Sequence, residues 1–227
     1  PDRRIGLVMG AASAAALLYY DGMHPVNIFH FLAVFVGLQL VTYLLLATQL
    51  RPGGVLNPRA GAPLRSLIYG ALRRVLQERL SEKRAVGRLF AAAEAWTLVR
   101  LMQLFGIAFN VGGLAASLAV VTFSDVAFAW ATTLELSPQV VHSVFAHLAA
   151  PWAAFFPGAV PDETLVASTQ YFRLGGLPAS GYTQVSRPEF YGGYWAFLVA
   201  AVTFYGLLPR LALVTAASLG ARRARRR

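Results

Sequence analysis

The chain contains no cysteine, and it contains few charged residues of either sign. The missing cysteines exclude disulfide bonds, thiolate metal sites and cysteine nucleophiles. Only 13% of the 227 residues are charged, whereas 57% are hydrophobic. A soluble domain of this length has too small a core to bury so much apolar surface. The composition therefore predicts an integral membrane protein.

Acidic residues are scarcer than basic ones, because 10 Asp and Glu stand against 20 Lys and Arg, for a net charge of +10. The basic residues are clustered, with nine between Arg51 and Arg88 and five after Leu219. In a soluble protein such clusters would suggest nucleic-acid binding. Beside apolar segments they indicate attraction to the anionic headgroups of a lipid bilayer. We therefore expect contacts with anionic lipid and no nucleic-acid partner.

Motifs for catalysis and cofactor binding are absent from the sequence. It has no Walker loop, dinucleotide fingerprint, zinc-protease motif or nucleophile elbow. His24 and His30 are six residues apart, and His142 and His147 are five apart. Neither spacing stacks two ligands on one helical face. We predict a protein that is not an enzyme and holds no cofactor or metal; haem ligation by two histidines stays open as an alternative.

Four segments are long and apolar enough to cross a bilayer, which takes about 20 mostly apolar residues in a helix. They lie at about residues 5–20, 26–50, 101–123 and 191–219. A brief turn joins the first two segments, which should form an antiparallel hairpin. The sequence thus predicts a single all-α membrane domain over residues 1–227 with about four transmembrane helices.

The two long connecting segments differ in charge. Residues 51–95 carry nine Lys and Arg against three acids, whereas residues 124–190 carry five acids and two Arg. Basic loops of membrane proteins stay in the cytoplasm. The charges therefore predict a bacterial inner-membrane protein with both termini in the cytoplasm, a cytoplasmic loop at 51–95 and an extracytoplasmic loop at 124–190.

The basic loop holds a helical pattern over residues 64–80. Leucines recur there every three or four residues, and arginines fall on the other face. The predicted surface for lipid or a partner consists of Arg65, Leu67, Leu72, Arg73, Arg74 and Arg79. Such a basic amphipathic helix packs on its own bundle or on the membrane surface, or it docks a cytoplasmic protein.

A second amphipathic pattern begins at Ser137-Pro138, where a helix cap is followed by proline at the first helical position. Apolar residues at helical spacing continue to Phe156, and Pro157-Gly158 should end the helix. The pattern predicts a helix that lies in the outer membrane interface. A shallow re-entrant segment is the alternative, if neighbouring groups satisfy its backbone.

Small residues mark the expected contacts between helices, because they let two helix backbones approach closely in lipid. These residues are Gly6 and Gly10 in the first span, and Gly112, Gly113 and Ser117 in the third. They predict packing within the chain or, as the alternative, the interface of a homo-oligomer.

Polar and ionisable residues at membrane depth are candidates for function, because burying them in lipid is costly. The candidates are Glu94, Arg100, Asn110 and Arg210. Arg100 and Glu94 lie near the cytoplasmic mouth of the third span, where they can reach lipid headgroups.

Arg210 has two interpretations. In the first, the fourth span ends at Leu208 and Pro209 begins an interfacial helix. In the second, Arg210 lies inside the bundle and pairs with Glu94 or with Asn110, because a lone buried arginine is too costly to keep.

Several blocks of the sequence carry a family resemblance. They are His24-Pro25-Val26-Asn27-Ile28-Phe29, Phe109-Asn110-Val111-Gly112-Gly113-Leu114, His147-Leu148-Ala149-Ala150-Pro151-Trp152 with Phe156-Pro157, and Tyr205-Gly206-Leu207-Leu208-Pro209-Arg210. With these blocks the chain resembles DUF2868, an uncharacterised family of bacterial inner-membrane proteins. The resemblance implies a GTP-binding protein encoded nearby, for which the basic loop is a docking surface. It supplies no catalytic residues.

Three functions fit this sequence. The first is a non-enzymatic scaffold or adaptor that recruits a cytoplasmic partner, such as a GTP-binding protein, through the helix at 64–80. The second is a transport or channel subunit in which Asn110 and Arg210 line a polar path. The third is an accessory subunit of a larger membrane complex.

Overall fold

A computed structural model describes residues 3–20, 24–50, 89–134, 136–171 and 192–226 of the chain. Most of these residues are helical, as the composition predicts. In this part of the chain, three helices are long and apolar enough to cross a membrane, over Ile28–Thr48, Val99–Phe123 and Trp195–Leu219. They correspond to the second, third and fourth predicted segments.

The first predicted segment forms helix α1, Arg3–Leu17, whose 15 residues rise only about 22 Å. It is shorter than the other three and shorter than a typical span. It packs chiefly along the later helix α4, Leu89–Phe123, and not along its neighbour in sequence. The sequence predicted an antiparallel hairpin of the first two segments, and it left open the helix on which α1 packs. Small residues on both α1 and α4 account for the close contact of these two helices.

Two of the long helices contain a π-helical turn. One runs as α2, Ile28–Leu32, a π turn at Ala33–Gly37 and α3, Leu38–Leu50. The other runs as α7, Trp195–Ala201, a π turn at Val202–Leu207 and α8, Leu208–Arg226. Two short helices, α5 at Pro138–Ala149 and α6 at Glu163–Ser168, precede it in the chain. Both long helices therefore continue through the middle of their apolar stretches.

The interpretation that the fourth span ends at Leu208 is wrong, because the helix continues through Pro209 to Arg226. Proline lacks the N–H that an α-helix needs, and its ring crowds the preceding turn. The π turn just before Pro209 changes the pairing, so that the Leu208 N–H donates to the Thr203 carbonyl. Such a local adjustment lets a membrane helix keep a proline without ending.

Helix α4 is the longest element, with 35 residues and a length of about 52 Å. This exceeds the hydrocarbon thickness of a bilayer, about 30 Å. It begins inside the predicted loop 51–95 and forms a helical stem before its apolar stretch. The rest of that loop, including the predicted surface at 64–80 with Arg65, Leu67, Leu72, Arg73, Arg74 and Arg79, lies outside the described residues.

A small parallel sheet closes one end of the bundle, which we call the strand end. Strand β1, Val26–Asn27, pairs with β2, Phe128–Ala129, with Val26 opposite Phe128. Trp130 then bridges to Gln170 in the same direction. The sequence analysis predicted no strands, because two-residue pairs leave no periodic signal. The opposite end, where α3 ends and α4 begins, is called the loop end.

The chain after β2 folds into two short helices beside the strand end of α7. Helix α5, Pro138–Ala149, begins as predicted at the Ser137 cap, and helix α6, Glu163–Ser168, is capped by Asp162. A 3-10 turn at Pro157–Ala159 lies between them. Helix α5 ends eight residues before the predicted stop at Pro157. The reason is Pro151, which has no N–H for the next helical hydrogen bond.

Candidate functional site

Four polar side chains meet in the interior of the three long helices, and we call them the polar cluster. They are Gln39 on α3, Gln103 and Asn110 on α4, and Arg210 on α8, all buried from solvent. Arg210 is only 8% exposed. Such residues are rare inside membrane helices and mark a candidate functional site.

Arg210 binds two carboxamide oxygens from two different helices. Its Nε donates to Gln39 Oε1 over 2.9 Å, and one terminal guanidinium nitrogen donates to Gln103 Oε1 over 3.0 Å. The other terminal nitrogen also donates to Gln39 Oε1. The guanidinium therefore ties α8 to α3 and to α4 at one level of the bundle.

Asn110 completes a chain of hydrogen bonds. Gln39 Nε2 donates to Asn110 Oδ1 over 3.3 Å, and Asn110 Nδ2 donates to the Gly106 carbonyl over 2.9 Å. The chain thus runs from Gln103 through Arg210 and Gln39 to Asn110, and each carboxamide oxygen in it accepts a donor. A buried hydrogen-bond network of this kind rigidifies the helices that it joins.

Two glycines make room for the polar cluster. A Cβ on Gly106 would lie within 2.5 Å of three guanidinium atoms of Arg210, and a Cβ on Gly206 would lie 2.7 Å from Asn110 Oδ1. On another side, the Tyr43 ring lies 5.5 Å from the guanidinium carbon. The Tyr43 hydroxyl donates to the Gly206 carbonyl over 2.9 Å. The Gly106 backbone and the Tyr43 ring therefore pack around the Arg210 guanidinium.

The π turns determine where two of these side chains point. Gln39 follows the turn Ala33–Gly37, Arg210 follows the turn Val202–Leu207, and the two turns contact each other. A π turn inserts one residue into the helical repeat, which rotates the residues beyond it. The two π turns therefore help to orient the Gln39 and Arg210 side chains toward each other.

No carboxylate among the described residues pairs with Arg210. The expected partner Asn110 is reached only through Gln39, and the expected partner Glu94 lies on the stem of α4 where only the backbone is described. Arg100 is exposed on α4. The cluster is therefore a cation held by neutral oxygens.

The predicted helix-packing residues line the contact of α1 with α4. Gly6 lies against Phe105, Gly10 against the Phe109 carbonyl, and Gly112 against the Leu7 carbonyl, so that the two helices run in the same direction. Gly113 faces the Phe35 ring instead. Ser117 is buried on α4, and its hydroxyl has no hydrogen-bond partner among the described residues.

The histidines are dispersed in the structure. His30 and His147 are exposed, and the His147 ring nitrogen Nδ1 lies 2.7 Å from the Ser143 carbonyl of its own helix. No three His, Asp or Glu side chains of the described segments lie close enough together to hold a metal ion.

Three members of the site, Gln103, Tyr43 and Gly106, were not predicted from the sequence. One signal was available, because Gln103, Gly106 and Asn110 are spaced by three and four residues and so share one face of α4. Gln39 was not predicted as a member either. No local pattern relates it to α8, which lies 171 residues away in the chain.

Comparison with family models identifies the family of the chain. A family model, described as a protein of unknown function (DUF2868), matches residues 60–227, well over half of the chain. The chain belongs to the DUF2868 family. In this DUF2868 protein the match includes Gln103, Asn110 and Arg210, while Gln39 and α1 precede it. Neither the curated proteins nor the solved structures that were compared gave a match.

Proposed function

We propose that this DUF2868 protein is a non-enzymatic scaffold or adaptor of the bacterial inner membrane, and that its basic segment 64–80 recruits a soluble cytoplasmic protein. A GTP-binding protein is the proposed partner, on the strength of the family resemblance. The bundle serves as the membrane anchor for that segment. Anionic lipid headgroups are the second binding partner of the basic residues.

The observation that carries the proposal is that the side chains of the polar cluster hydrogen-bond to one another. Arg210 gives its donors to Gln39 and Gln103, and Gly106 and Tyr43 pack around its guanidinium. Polar groups that serve a transport path face water or a solute. Here they bind one another between packed helices, which favours a rigid anchor over a path for solutes.

The distribution of charge supports the proposed orientation. Toward the loop end the described helices carry Arg3, Arg4, Arg100 and Arg222, and the segment between α3 and α4 adds the arginines of residues 51–88. Asp125, Asp162 and Glu163 lie toward the strand end. By the positive-inside rule, we propose that the loop end faces the cytoplasm and the strand end faces outward.

We also propose that α1 is a fourth crossing. It packs along the apolar part of α4, and its Ile5, Val8 and Met9 side chains point away from the bundle and are exposed. Apolar side chains in that position match a lipid environment. The chain beyond Leu17 continues to Tyr19 and Tyr20, which suit the headgroup region.

The adaptor role can be tested by a pull-down with the full chain in lipid nanodiscs. A double variant, Leu67→Glu with Leu72→Glu, removes two residues of the apolar face. The control variant, Gln77→Glu with Ser81→Glu, adds two negative charges at non-apolar positions within the segment and directly after it. We expect the first variant to retain at least about tenfold less soluble partner, because each buried leucine contributes roughly 1.5–3 kcal/mol.

The retained protein is identified by mass spectrometry, and its binding of a fluorescent GTP analogue is measured. Loss in the first variant and retention in the control support the adaptor. If both variants retain only membrane proteins, or only further copies of the chain, the adaptor proposal fails. A transport assembly or an accessory subunit would then be the better explanation.

A further inference from the structure

The segment from Pro138 to Val160 lies beside a membrane span, not above it. Phe145 on α5 packs against Phe197 of α7, with ring centroids 5.3 Å apart. Seven residues further along, Trp152 packs against Phe204, which is seven residues beyond Phe197, with centroids 5.3 Å apart. Residues 145–152 therefore run alongside residues 197–204 of the span, in the same direction.

The parallel course of the two segments gives the depth of residues 138–160 in the membrane. Phe145 also contacts Phe29 at the start of the Ile28–Thr48 span, at 5.7 Å between centroids, so it marks the membrane boundary at the strand end. Trp152 lies seven residues beyond Phe145, and Phe204 lies nine beyond Trp195. Trp152 also contacts Phe197, two residues beyond Trp195, at 5.9 Å between centroids. At 1.5 Å per residue, the Trp152 ring therefore lies between about 3 and 14 Å inside the apolar layer.

Most N–H groups between Ala150 and Val160 donate hydrogen bonds within the segment, which limits the cost of placing a non-helical backbone in hydrocarbon. The N–H groups of Trp152 and Ala153 donate to the Ala149 carbonyl, and those of Phe155 and Phe156 donate to the Trp152 carbonyl. The span adds one bond more, because the Tyr205 hydroxyl donates to the Leu148 carbonyl over 2.9 Å.

The chain then returns to the strand end. Trp152 Nε1 donates to the Ala159 carbonyl over 3.2 Å, which joins the descending limb to the returning one. After α6, the Thr169 hydroxyl lies 2.7 Å from the Tyr194 hydroxyl, just before the span begins. Residues 137–161 contain no Asp, Glu, Lys or Arg, and the first charged residue is Asp162 on the returning limb.

Two phenylalanines at the tip are open to the surroundings. Phe155 is 74% exposed and Phe156 is 59% exposed, which compares with 66% for Leu44 on the apolar surface of α3. Val140 and Val144 of α5 are also exposed. At the depth of Trp152, the surroundings of a membrane-embedded chain are lipid acyl chains.

We infer that residues 138–160 form a re-entrant segment that enters the bilayer from the strand side, and that Phe155 and Phe156 contact acyl chains of that leaflet. This replaces the predicted helix in the plane of the interface. The inference rests on membrane insertion of the three spans and not on the recruitment of a cytoplasmic partner. Failure of the adaptor proposal would leave it intact.

Single-cysteine variants test this inference, because the chain has no cysteine of its own. Phe156→Cys carries a nitroxide label in the full chain, reconstituted in phosphatidylethanolamine and phosphatidylglycerol nanodiscs. Collision rates with oxygen and with a water-soluble nickel chelate are compared with those at Leu44→Cys and at Thr133→Cys. Leu44 represents a lipid-facing span, and Thr133 represents an exposed loop at the strand end.

We expect Phe156→Cys to show high oxygen and low nickel access, as Leu44→Cys does, whereas Thr133→Cys shows the reverse. Val144→Cys and Val140→Cys supply a second measurement if the label at Phe156 disturbs folding. Their depth should decrease in the order Phe156, Val144, Val140. Nickel access at Phe156 and Val144 equal to that at Thr133 would overturn the inference in favour of an interfacial helix. Low access to both reagents would also overturn it, since protein would then cover the tip.

Discussion

Arg210 is held by carboxamide oxygens instead of carboxylates. A hydrogen bond to a charged group contributes about 1.5–3 kcal/mol, more than a bond between neutral groups. The oxygens of Gln39 and Gln103 can therefore stabilise the guanidinium without bringing an opposite charge into the bundle. The arrangement depends on both glutamines, because a buried cation that loses an acceptor keeps its desolvation cost.

Replacing Gln39 by leucine should destabilise the bundle strongly. Gln39→Leu removes the acceptor of two guanidinium nitrogens, so that we expect a loss of about 1.5–3 kcal/mol for each hydrogen bond to the cation. The free energy of unfolding can be measured by titration with denaturing detergent in mixed micelles. Thr48→Leu, at an exposed position on the same helix, is the control and should change little.

The triple variant Gln39→Leu, Gln103→Leu, Arg210→Met should recover part of that loss. Removing a buried charge together with its partners costs less than removing one partner alone. The sum of the single-variant losses should therefore exceed the loss in the triple variant. Strictly additive losses would show that these three side chains do not act as one network.

At the scale of helices, α1 and α4 are joined through backbone contacts. Gly10 and Gly112 lie against carbonyl oxygens of the opposite helix, at Phe109 and Leu7. In lipid, where apolar burial contributes little between helices, such close packing is a main source of their association. Any side chain at these positions forces the helices apart.

Gly10→Ala should weaken the α1–α4 contact by about 1–3 kcal/mol, the usual cost of overpacking a close contact. Gly37→Ala is the matched control within a span, because the nearest atom to its added Cβ lies 3.8 Å away. The two variants are compared by their unfolding midpoints in mixed micelles. Equal midpoints would contradict the close approach of α1 to α4.

The two π turns show how helices adjust to one another. Each interrupts an apolar stretch that reads as a continuous helix in the sequence, and each precedes a member of the polar cluster. A π insertion costs local helix energy and survives only where contacts offset that cost. Here two contacts offset the cost of the π insertions. The turns pack against each other, and Gln39 and Arg210 form hydrogen bonds.

At the scale of the whole molecule, the two ends of the bundle differ in charge. The long basic segment leaves from the loop end, and the acidic residues lie toward the strand end. Chains of this kind insert with the basic side in the cytoplasm. The orientation decides which leaflet the segment 138–160 would enter under the re-entrant proposal.

Labelling of single cysteines in spheroplasts checks this orientation. We expect a membrane-impermeant thiol reagent to label Thr133→Cys in intact cells, and to label Ser81→Cys only after the membrane is opened. The cysteine-free parent chain measures the background. Labelling of Ser81→Cys in intact spheroplasts would reverse the proposed orientation.

Sequence patterns predicted the helical class well, because the long apolar stretches of the second, third and fourth segments carry a strong signal. They predicted the start of α5 at Ser137, where cap and proline act locally. They failed for the end of α5, for the partner of α1 and for the path of the chain through Pro209. The end of α5 is caused locally by Pro151, whereas the partner of α1 is a distant segment of the chain and the path through Pro209 depends on a π turn.

The sequence by itself determined that this chain belongs in a membrane, where its three long spans lie and which side is basic, because these follow from composition and local runs of residues. Only the tertiary structure decided which polar groups meet. Arg210 lies 171 residues from Gln39 and 107 from Gln103, and their hydrogen bonds form only when three helices pack at one register. The depth that we propose for residues 138–160 likewise rests on packing against α7, because an apolar helix in sequence has the same pattern on a membrane surface as inside it.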